Sequence, residues 1–491
     1  MGEVDSSFIS DDKAHEACGV FGICAPGEDI ARLTYFALFA LQHRGQESAG
    51  IAASDGHRLQ LFAKLGLVSQ VFTENDLNRL TGHLAIGHNR YSTASPSRTR
   101  DTQPIIVSRG QEVLAVAHNG NITNADVLRT ELQENGYAFS TSSDSELVAN
   151  LVLSSTEREY AAKIRYAMRR LQGAYSLVLL TKDAVWGVRD PLGMRPLCIG
   201  SLNGHGWVLA SESCAIDHIG ASFLHEVAPG EIIRFDQSGL CSFSEPGDSH
   251  ALCVFEFIYF ARPDSIINNR LLYDAREAMG AKLATEHPAD ADLVIGVPDS
   301  ATPAAVGYSR ASGITLGMGL VKNRYMGRTF IEPEQRLRDL GVKLKFNPMR
   351  PLLEGKRIVL VDDSIVRGTT TPQVIKLLRS AGAREIHMRI CAPPICHPCF
   401  MGVDMATRRE LIAAQKTIPE IKEAIGADSL GFLSLARLIE AVGLPKDKLC
   451  LACFTGHYPL PVQLEMSKFT SERNGASSSA CGLANSASPL I

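Results

Sequence analysis

The sequence predicts two domains in series: an α+β domain of layered sheets and helices, then a parallel, doubly wound α/β domain. The chain has 491 residues, more than a single hydrophobic core usually serves. In roughly its first half, short apolar runs separated by Gly, Asn and Asp dominate, as expected of many short strands. In the second half, strand-like and helix-like segments alternate, which is typical of a parallel sheet with crossover helices.

The strands expected in the first half are largely apolar runs. They lie at residues 20–23, 84–86, 114–117, 176–180 and 208–210. Ile164, Met168 and Leu171 recur at steps of four and three, which indicates a helix with one apolar face. These elements predict sheets packed against helices.

The second half alternates more regularly. Strands are expected at 292–297, 357–361 and 385–390, and helices at 302–312, 370–381, 418–424 and 433–441. The changes of pattern predict a polar leader at 1–17, domains at 18–250 and 251–440, a C-terminal segment at 441–470 and a disordered Ser- and Ala-rich tail at 471–491.

Composition excludes several classes of function. The formal net charge is -4, so no broad basic field favours nucleic acid. No apolar run approaches the ~18 residues of a membrane span. The leader carries five acidic residues and no apolar core, which excludes a secretory signal and argues against a transit peptide. We therefore expect a cytoplasmic protein with reduced cysteines.

Cys18 is the first candidate for chemistry. A thiol attacks a carboxamide only with a base beside it or a lowered pKa. Cleavage between Ala17 and Cys18 would place a new α-amine, with a pKa of about 7.7–8.0, next to the thiol. A Cys–His pair with His88 or His118 is an alternative, as is a buried structural cysteine.

Four more segments follow Cys18 in a fixed order. They read Leu-Gln-His-Arg-Gly-Gln-Glu-Ser-Ala-Gly at 41–50, His-Asn-Arg-Tyr-Ser-Thr at 88–93, Ala-His-Asn-Gly-Asn at 117–121 and Ser-Ser-Asp-Ser-Glu at 142–146. With Cys-Gly-Val-Phe-Gly at 18–22, they resemble the glutaminase domain of class II, N-terminal-nucleophile amidotransferases.

This resemblance implies a role for each residue. Cys18 would form a thioester with its own amine as base, and the Asn119 side chain and Gly120 N–H would stabilise the oxyanion. Arg90 would hold the α-carboxylate of glutamine through its planar guanidinium, and Asp144 would pair with the α-ammonium group.

A second candidate site begins at the segment 357–370. An apolar strand ends in Asp362 and Asp363, and a Gly-, Ser- and Thr-containing loop then opens onto a helix. Backbone amides and the helix N-terminus make such a loop an anion site. A charged turn at a strand end is the alternative.

The segment 357–370 resembles the phosphoribosyl pyrophosphate motif of type I phosphoribosyltransferases. The resemblance implies that Asp362 and Asp363 face the ribose hydroxyls and Mg²⁺. The residues expected to hold the 5′-phosphate and its surroundings are Ser364, Arg367, Gly368, Thr369 and Thr370.

Two upstream segments resemble other parts of the same family. Val-Pro-Asp-Ser-Ala at 297–301 is similar to its pyrophosphate loop, which implies that Ser300 lies near the metal. The basic segment 322–330 is similar to its mobile loop, which implies that Lys322 and Tyr325 contact the substrate as the loop closes.

Both domains, in this order, resemble the amidophosphoribosyltransferases. The resemblance implies glutamine hydrolysis at Cys18, passage of ammonia inside the protein and displacement of pyrophosphate to give 5-phosphoribosylamine. This reaction is the first committed step of de novo purine biosynthesis. It also implies inhibition by purine nucleotides and a homotetramer or homodimer.

Four cysteines match a metal site in one branch of this family. Cys253, Cys399, Cys450 and Cys453 correspond to the ligands of a [4Fe–4S] cluster, for which four thiolates are the expected set. Zinc in a four-cysteine site is the alternative. Cys396 lies three residues before Cys399, and chemistry alone leaves it open as a ligand, although the family pattern selects Cys399.

Three other functions compete. An amidotransferase that makes glucosamine phosphate or asparagine would lack the segment 359–370. A nucleotide-sensing regulator of nucleic acid would need neither the glutaminase motifs nor a net charge of -4. An enzyme that uses only free ammonia would retain its leader before Cys18.

Overall fold

A computed structural model describes residues 18–90, 99–243, 250–323, 345–405 and 407–461. The predictions for the leader 1–17, for Tyr325 and for the tail 471–491 lie outside these residues.

The first domain contains thirteen strands among the described residues. They are β1 (Gly19–Cys24), β2 (Ser48–Ser54), β3 (Leu59–Leu65), β4 (Leu84–Arg90), β5 (Ile105–Arg109), β6 (Glu112–Ile122), β7 (Gly173–Leu180), β8 (Val185–Arg189), β9 (Cys198–Leu202), β10 (Gly206–Ala210), β11 (Ser222–Glu226), β12 (Ile232–Asp236) and β13 (Gly239–Phe243). The helices are α1 (Ile30–Ala40), α2 (Val68–Val71), α3 (Glu74–Leu77), α4 (Ala125–Glu134), α5 (Asp144–Ser154), α6 (Tyr160–Arg170) and α7 (Ser213–His218).

Two antiparallel sheets pack face to face in this domain. Within the described residues, one sheet has the order β11-β9-β10-β1-β4-β2-β3 and the other β13-β12-β8-β7-β6-β5. A core cluster that includes Val20, Ile86, Ala117 and Val178 fills the space between them. Helices α1 and α7 cover the outer face of the first sheet, and α5 and α6 cover that of the second. The central strands are therefore buried on both faces, which explains their nearly continuous apolar sequences.

The second domain is built around parallel strands. Its described strands are β14 (Leu252–Cys253), β15 (Ile266–Ile267), β16 (Arg270–Leu271), β17 (Leu293–Gly296), β18 (Leu320–Lys322), β19 (Phe346–Pro348), β20 (Arg357–Asp362), β21 (Glu385–Ile390), β22 (Ser429–Phe432) and β23 (Leu449–Cys450). The helices are α8 (Leu272–Glu286), α9 (Thr302–Ser312), α10 (Arg350–Leu353), α11 (Thr371–Ser380), α12 (Ile418–Ile425), α13 (Leu435–Val442) and α14 (Ala452–Thr455), with a π-helix at Glu256–Phe260 and 3₁₀ turns at Arg408–Glu410 and Ile412–Ala414.

The parallel sheet has the order β17-β20-β21-β22 in the described residues. Each of these strands feeds a loop at the same edge, because the carboxyl ends of parallel strands point the same way. The loops after β17 and β20 are therefore neighbours, which places the segment 297–301 beside the segment 363–370.

The C-terminal segment is joined to the start of the second domain. Strand β23 pairs with β14 in parallel, so Cys450 lies opposite Cys253.

The four predicted helices and three predicted strands of the second half all occur, and the predicted order of an α+β domain followed by an α/β domain is confirmed. In the part of the chain that the structure describes, no helix is both long enough and apolar enough to span a bilayer.

Candidate active sites

Cys18 lies directly before β1, at one end of the two-sheet sandwich. In the register of β1 with β4, Gly19 lies opposite Asn89 and Val20 opposite His88. The His88 Nε2 lies 3.0 Å from the His118 carbonyl oxygen, which joins the two sheets at this end. The start of β1 and the 118–120 stretch of β6 are thereby brought together.

Asn119 and Gly120 occupy β6 opposite Ser176 and Tyr175. The Asn119 side chain is buried, and among the described residues its Nδ2 has no hydrogen-bond partner. Gly120 has a φ of +142°, and a Cβ there would lie 1.9 Å from the Ala174 carbonyl oxygen, so only glycine fits. A buried amide donor without a partner is costly unless a ligand accepts from it.

The two histidines near this end are poor candidates for a base. Burial lowers the pKa of His88 to about 3 and that of His118 to about 4. A group with such a pKa is a weak base at neutral pH. The Cys–His alternative is therefore disfavoured, and an α-amine at Cys18 remains the better candidate.

Arg90 and Asp144 approach the same end of the sandwich from different elements. Arg90 ends β4 and donates from Nη1 to the Asp101 carbonyl oxygen at 2.8 Å. Asp144 begins α5 and accepts from the Ile122 N–H at 3.2 Å, next to the 119–121 stretch. Burial raises the pKa of Asp144 to about 6, while the Ile122 N–H and the charge of Arg90 oppose this rise. An ammonium ion would offset the remaining desolvation of its carboxylate.

The two loops at the edge of the parallel sheet are joined by a serine–carboxylate hydrogen bond, and a second such bond lies within one of them. Ser300 Oγ donates to Asp363 Oδ2 at 2.5 Å, and Ser364 Oγ donates to Asp363 Oδ1 at 2.9 Å. The Asp363 N–H donates to Asp362 Oδ1 at 2.9 Å. Both carboxylates are buried, so their orientation is fixed before any substrate binds.

A cavity of ≈ 380 Å³, counting space open to solvent, lies beside these carboxylates. Asp362, Ser364 and Thr370 line it together with apolar residues of the sheet. Thr370 immediately precedes α11, so the cavity opens at a helix N-terminus, where phosphate is favoured. Thr369 is exposed at the same loop.

Two other predicted substrate contacts, Arg367 and Lys322, form ion pairs within the protein. Arg367 forms ion pairs with Glu410 at 2.8 Å and with Asp404 at 3.4 Å. Lys322, at the end of β18, pairs with Asp299 at 2.9 Å. Gly368 has a φ of +71°.

The four cysteines assigned to a metal site are brought together. Cys253, Cys399, Cys450 and Cys453 all line one cavity of ≈ 430 Å³, again counting space open to solvent. Burial raises the pKa of Cys450 to about 11 and that of Cys453 well above its usual value, and the neighbouring thiols add to both shifts. Such a group of thiols becomes thiolates only if positive charge is supplied among them.

Cys396 does not line this cavity. Its Sγ lies 3.6 Å from the Pro394 carbonyl oxygen and 3.5 Å from that of Ala413. Among the described residues, no three His, Cys, Asp or Glu side chains converge closely enough to hold a single metal ion.

A buried ion-pair network at the domain junction was not predicted. Arg44 of the first domain pairs with Glu212 and, at 2.5 Å, with Glu256 of the π-helix. Arg195 lies 3.6 Å from Glu256. Burial alone would raise the pKa of Glu212, but Arg44 and His43 hold it well below its usual range. Arg44 lies within a recognised motif, yet no sequence pattern links it to a partner 212 residues away.

Comparisons with known proteins agree with this architecture. The glutamine amidotransferase domain family matches residues 88–218 and the phosphoribosyl transferase domain family matches residues 264–393. An amidophosphoribosyltransferase of Synechococcus elongatus is 48% identical over 93% of this chain and 94% of its own length. That of Methanothermobacter thermautotrophicus is 46% identical over 95% of this chain and 99% of its own length.

Two solved structures superpose over nearly the whole chain. The glutamine phosphoribosylpyrophosphate amidotransferase of B. subtilis, complexed with ADP and GMP, has a TM-score of 0.86 at 44% identity and covers 92% of this chain and 99% of its own. A structure described as the allosteric regulatory enzyme of purine biosynthesis has a TM-score of 0.86 at 45% identity and covers 91% of this chain and 97% of its own.

A glutamine amidotransferase domain joined to a phosphoribosyltransferase domain defines a glutamine-dependent pentosyltransferase. With relatives this similar over almost their full length, the chain belongs to the amidophosphoribosyltransferase family. Its two domains fit glutamine hydrolysis and phosphoribosyl transfer, the first step of purine biosynthesis, and the family uses Mg²⁺ with phosphoribosyl pyrophosphate.

Proposed function

We propose that Cys18 hydrolyses glutamine and that the ammonia released displaces pyrophosphate from C1 of phosphoribosyl pyrophosphate. The main support for glutamine hydrolysis is the buried Asn119 Nδ2, which has no hydrogen-bond partner among the described residues and lies beside Gly120. An oxyanion would accept from both groups, and each such donor typically contributes ~3–4 kcal/mol to transition-state stabilisation.

In this mechanism the N-terminal amine of Cys18 takes the thiol proton as the sulfur attacks the glutamine carboxamide. Arg90 would hold the α-carboxylate and Asp144 the α-ammonium group. The thioester is then hydrolysed to glutamate. The amine requires removal of residues 1–17, and the weak basicity of His88 and His118 supports this requirement.

In the transferase half, Asp362 and Asp363 would accept hydrogen bonds from the ribose hydroxyls. The loop 364–370 would hold the 5′-phosphate through Ser364, Gly368, Thr369 and Thr370, with Arg367 beside it. Lys322 and Tyr325 would contact the substrate near its pyrophosphate group. Mg²⁺, held with Ser300 and the two carboxylates and by the pyrophosphate itself, would neutralise charge on the leaving group.

The four clustered thiols favour a [4Fe–4S] cluster over zinc. Four cysteine thiolates are the expected ligand set of a [4Fe–4S] cluster, and Cys253, Cys399, Cys450 and Cys453 line one cavity. Bound there, the cluster would cross-link β14, the segment after Cys399 and the start of α14.

Several properties follow from the family rather than from this site. We propose purine nucleotides as inhibitors, since the B. subtilis relative was solved with ADP and GMP. A homotetramer or homodimer and a cytoplasmic location are also proposed from the family, with the acidic leader as support for the location. The domain bounds 18–250 and 251–440 are proposed from the changes of sequence pattern along the chain.

Two measurements test the proposal. Intact mass of the purified protein should show a chain that begins at Cys18. With glutamine, phosphoribosyl pyrophosphate and Mg²⁺, anaerobically purified protein should release glutamate and pyrophosphate in equal amounts. A full-length active chain would overturn the role of the amine. Glutamate release without pyrophosphate would overturn the role of the second site.

A further inference from the structure

One short segment after Cys399 contacts both proposed active sites. We call residues 399–405 and 407–412 the strap. Its interior is tightly bonded, because the Cys399 N–H donates to the Met405 carbonyl oxygen at 2.8 Å and the Met405 N–H to that of Val403 at 2.7 Å. Val403 and Met405 are buried in the core of the second domain. The strap is therefore a compact element rather than a loose connection.

The first part of the strap lies against the strand that carries the oxyanion residues. Asn121 Nδ2 donates to the Phe400 carbonyl oxygen at 2.8 Å, and Arg195 Nη2 donates to that of Met401 at 2.8 Å. A Cβ at Gly402 would lie 3.2 Å from the carbonyl carbon of Gly120. The strap thus touches Gly120, one of the proposed oxyanion donors, and Asn121, which follows it.

The last part of the strap lies against the loop 364–370, which we call the phosphate loop. Glu410 Oε2 accepts a hydrogen bond from Arg367 Nη2 at 2.8 Å, and Thr407 Oγ1 donates one to Glu410 Oε1 at 2.7 Å. The Ile412 N–H donates to the Val366 carbonyl oxygen at 3.0 Å. A Cβ at Gly368 would lie only 2.4 Å from Ile412 Cδ1. Movement of the loop would therefore move the strap.

We propose that the strap couples the two reactions by positioning residues 119–121 of β6 and the phosphate loop together. This proposal rests on the proposed function and adds two positioning residues to it, Glu410 at the transferase end and Asn121 at the glutaminase end. It does not depend on what the four cysteines hold. Coupling of this kind is reciprocal, so a change at either end should be measurable at the other.

Glu410→Gln tests the transferase end, because it removes the charge and keeps the size. Loss of a charged hydrogen bond should raise the KM for phosphoribosyl pyrophosphate about tenfold with ammonia as donor. With glutamine as donor, the ratio of glutamate to pyrophosphate should rise from one to at least about two. Thr407→Val should give smaller shifts in the same directions. Glu423→Gln, an exposed carboxylate of the same domain, is the matched control and should change neither.

Asn121→Ala tests the glutaminase end. It should raise the KM for phosphoribosyl pyrophosphate at least twofold in the ammonia reaction, although Asn121 lies in the other domain. Asn124→Ala, which removes a bond from Nδ2 to the Arg170 carbonyl oxygen within the first domain, is its control. Thermal melting of each variant shows whether it is folded.

The double variant, which carries Asn121→Ala and Glu410→Gln, distinguishes coupled residues from independent ones. Distant, independent sites combine additively, whereas the ends of one coupling element do not. We expect the KM for phosphoribosyl pyrophosphate of the double variant, measured with ammonia, to be close to that of Glu410→Gln alone, whereas independent sites would give about the product of the two single rises. A KM in the double variant equal to the product of the two single rises would overturn the strap proposal. A Glu410→Gln variant whose ratio of glutamate to pyrophosphate stays at one would also overturn it. Absence of pyrophosphate release from the wild type with either nitrogen donor would overturn the proposed function as well.

Discussion

Ser300 Oγ donates a hydrogen bond to Asp363 Oδ2 at 2.5 Å, across the ends of two neighbouring parallel strands. The bond joins loops that lie 63 residues apart in the sequence. It fixes the Asp363 carboxylate next to Asp362 and the cavity at the N-terminus of α11. The proposed transferase site is thus organised by side chains from two loops, and each loop can be tested separately.

Asp363→Asn should impair only the transferase half. We expect pyrophosphate release to fall roughly 10- to 100-fold with glutamine or ammonia, because hydrogen bonds and a metal contact of a charged group are lost. Pyrophosphate release measured with each donor checks this. Asp290→Asn, an exposed carboxylate paired with Arg357, is the control. Equal loss in both variants would show that the effect at Asp363 is not specific.

Glutamine binding should weaken as the pH falls through about 6. Burial raises the pKa of Asp144 to about 6, so its carboxylate is charged above that pH and neutral below it. A neutral carboxyl no longer attracts the α-ammonium group, and the Kd should rise about tenfold for each pH unit below 6. Calorimetry on the Cys18→Ala variant isolates binding from catalysis. Asp144→Asn should bind weakly and show no such slope; a wild-type-like slope in that variant would contradict the assignment.

The cysteine site should hold iron. Anaerobically purified protein should contain about four irons and four sulfides per chain, and Cys399→Ser should lose most of both. Cys396→Ser is the matched control, because Cys396 lies near the carbonyl oxygens of Pro394 and Ala413 rather than in the cavity. One zinc per chain, or equal loss in the two variants, would contradict the cluster.

The buried pair at the domain junction should matter for stability. Glu256→Ala leaves Arg44 without one of its two carboxylates in a buried site, which typically costs about 3–5 kcal/mol of unfolding free energy. A lower midpoint in chemical unfolding checks this. Glu74→Ala, which removes an exposed partner of Arg32, should leave the midpoint unchanged. An unchanged midpoint for Glu256→Ala would show that the network is not stabilising.

The sequence predicts the second domain well because its signals are local. Helix α9 and strand β21 have the predicted bounds, 302–312 and 385–390, since each apolar run ends in its own loop or glycine. The proposed site residues also come from short motifs. The strap and the junction network were not predictable in this way, because they depend on contacts such as Asn121 to Phe400, which are 279 residues apart. No local pattern encodes such a pairing.

On the proposed function, one chain makes ammonia at Cys18 and uses it at the phosphoribosyl site. The most direct measurement compares the wild type with Cys18→Ala, using glutamine or ammonia as donor with phosphoribosyl pyrophosphate and Mg²⁺. We predict that Cys18→Ala releases pyrophosphate with ammonia at the wild-type rate and releases none with glutamine. Retention of the glutamine reaction in Cys18→Ala would contradict this function for Cys18, because another residue would then supply the ammonia.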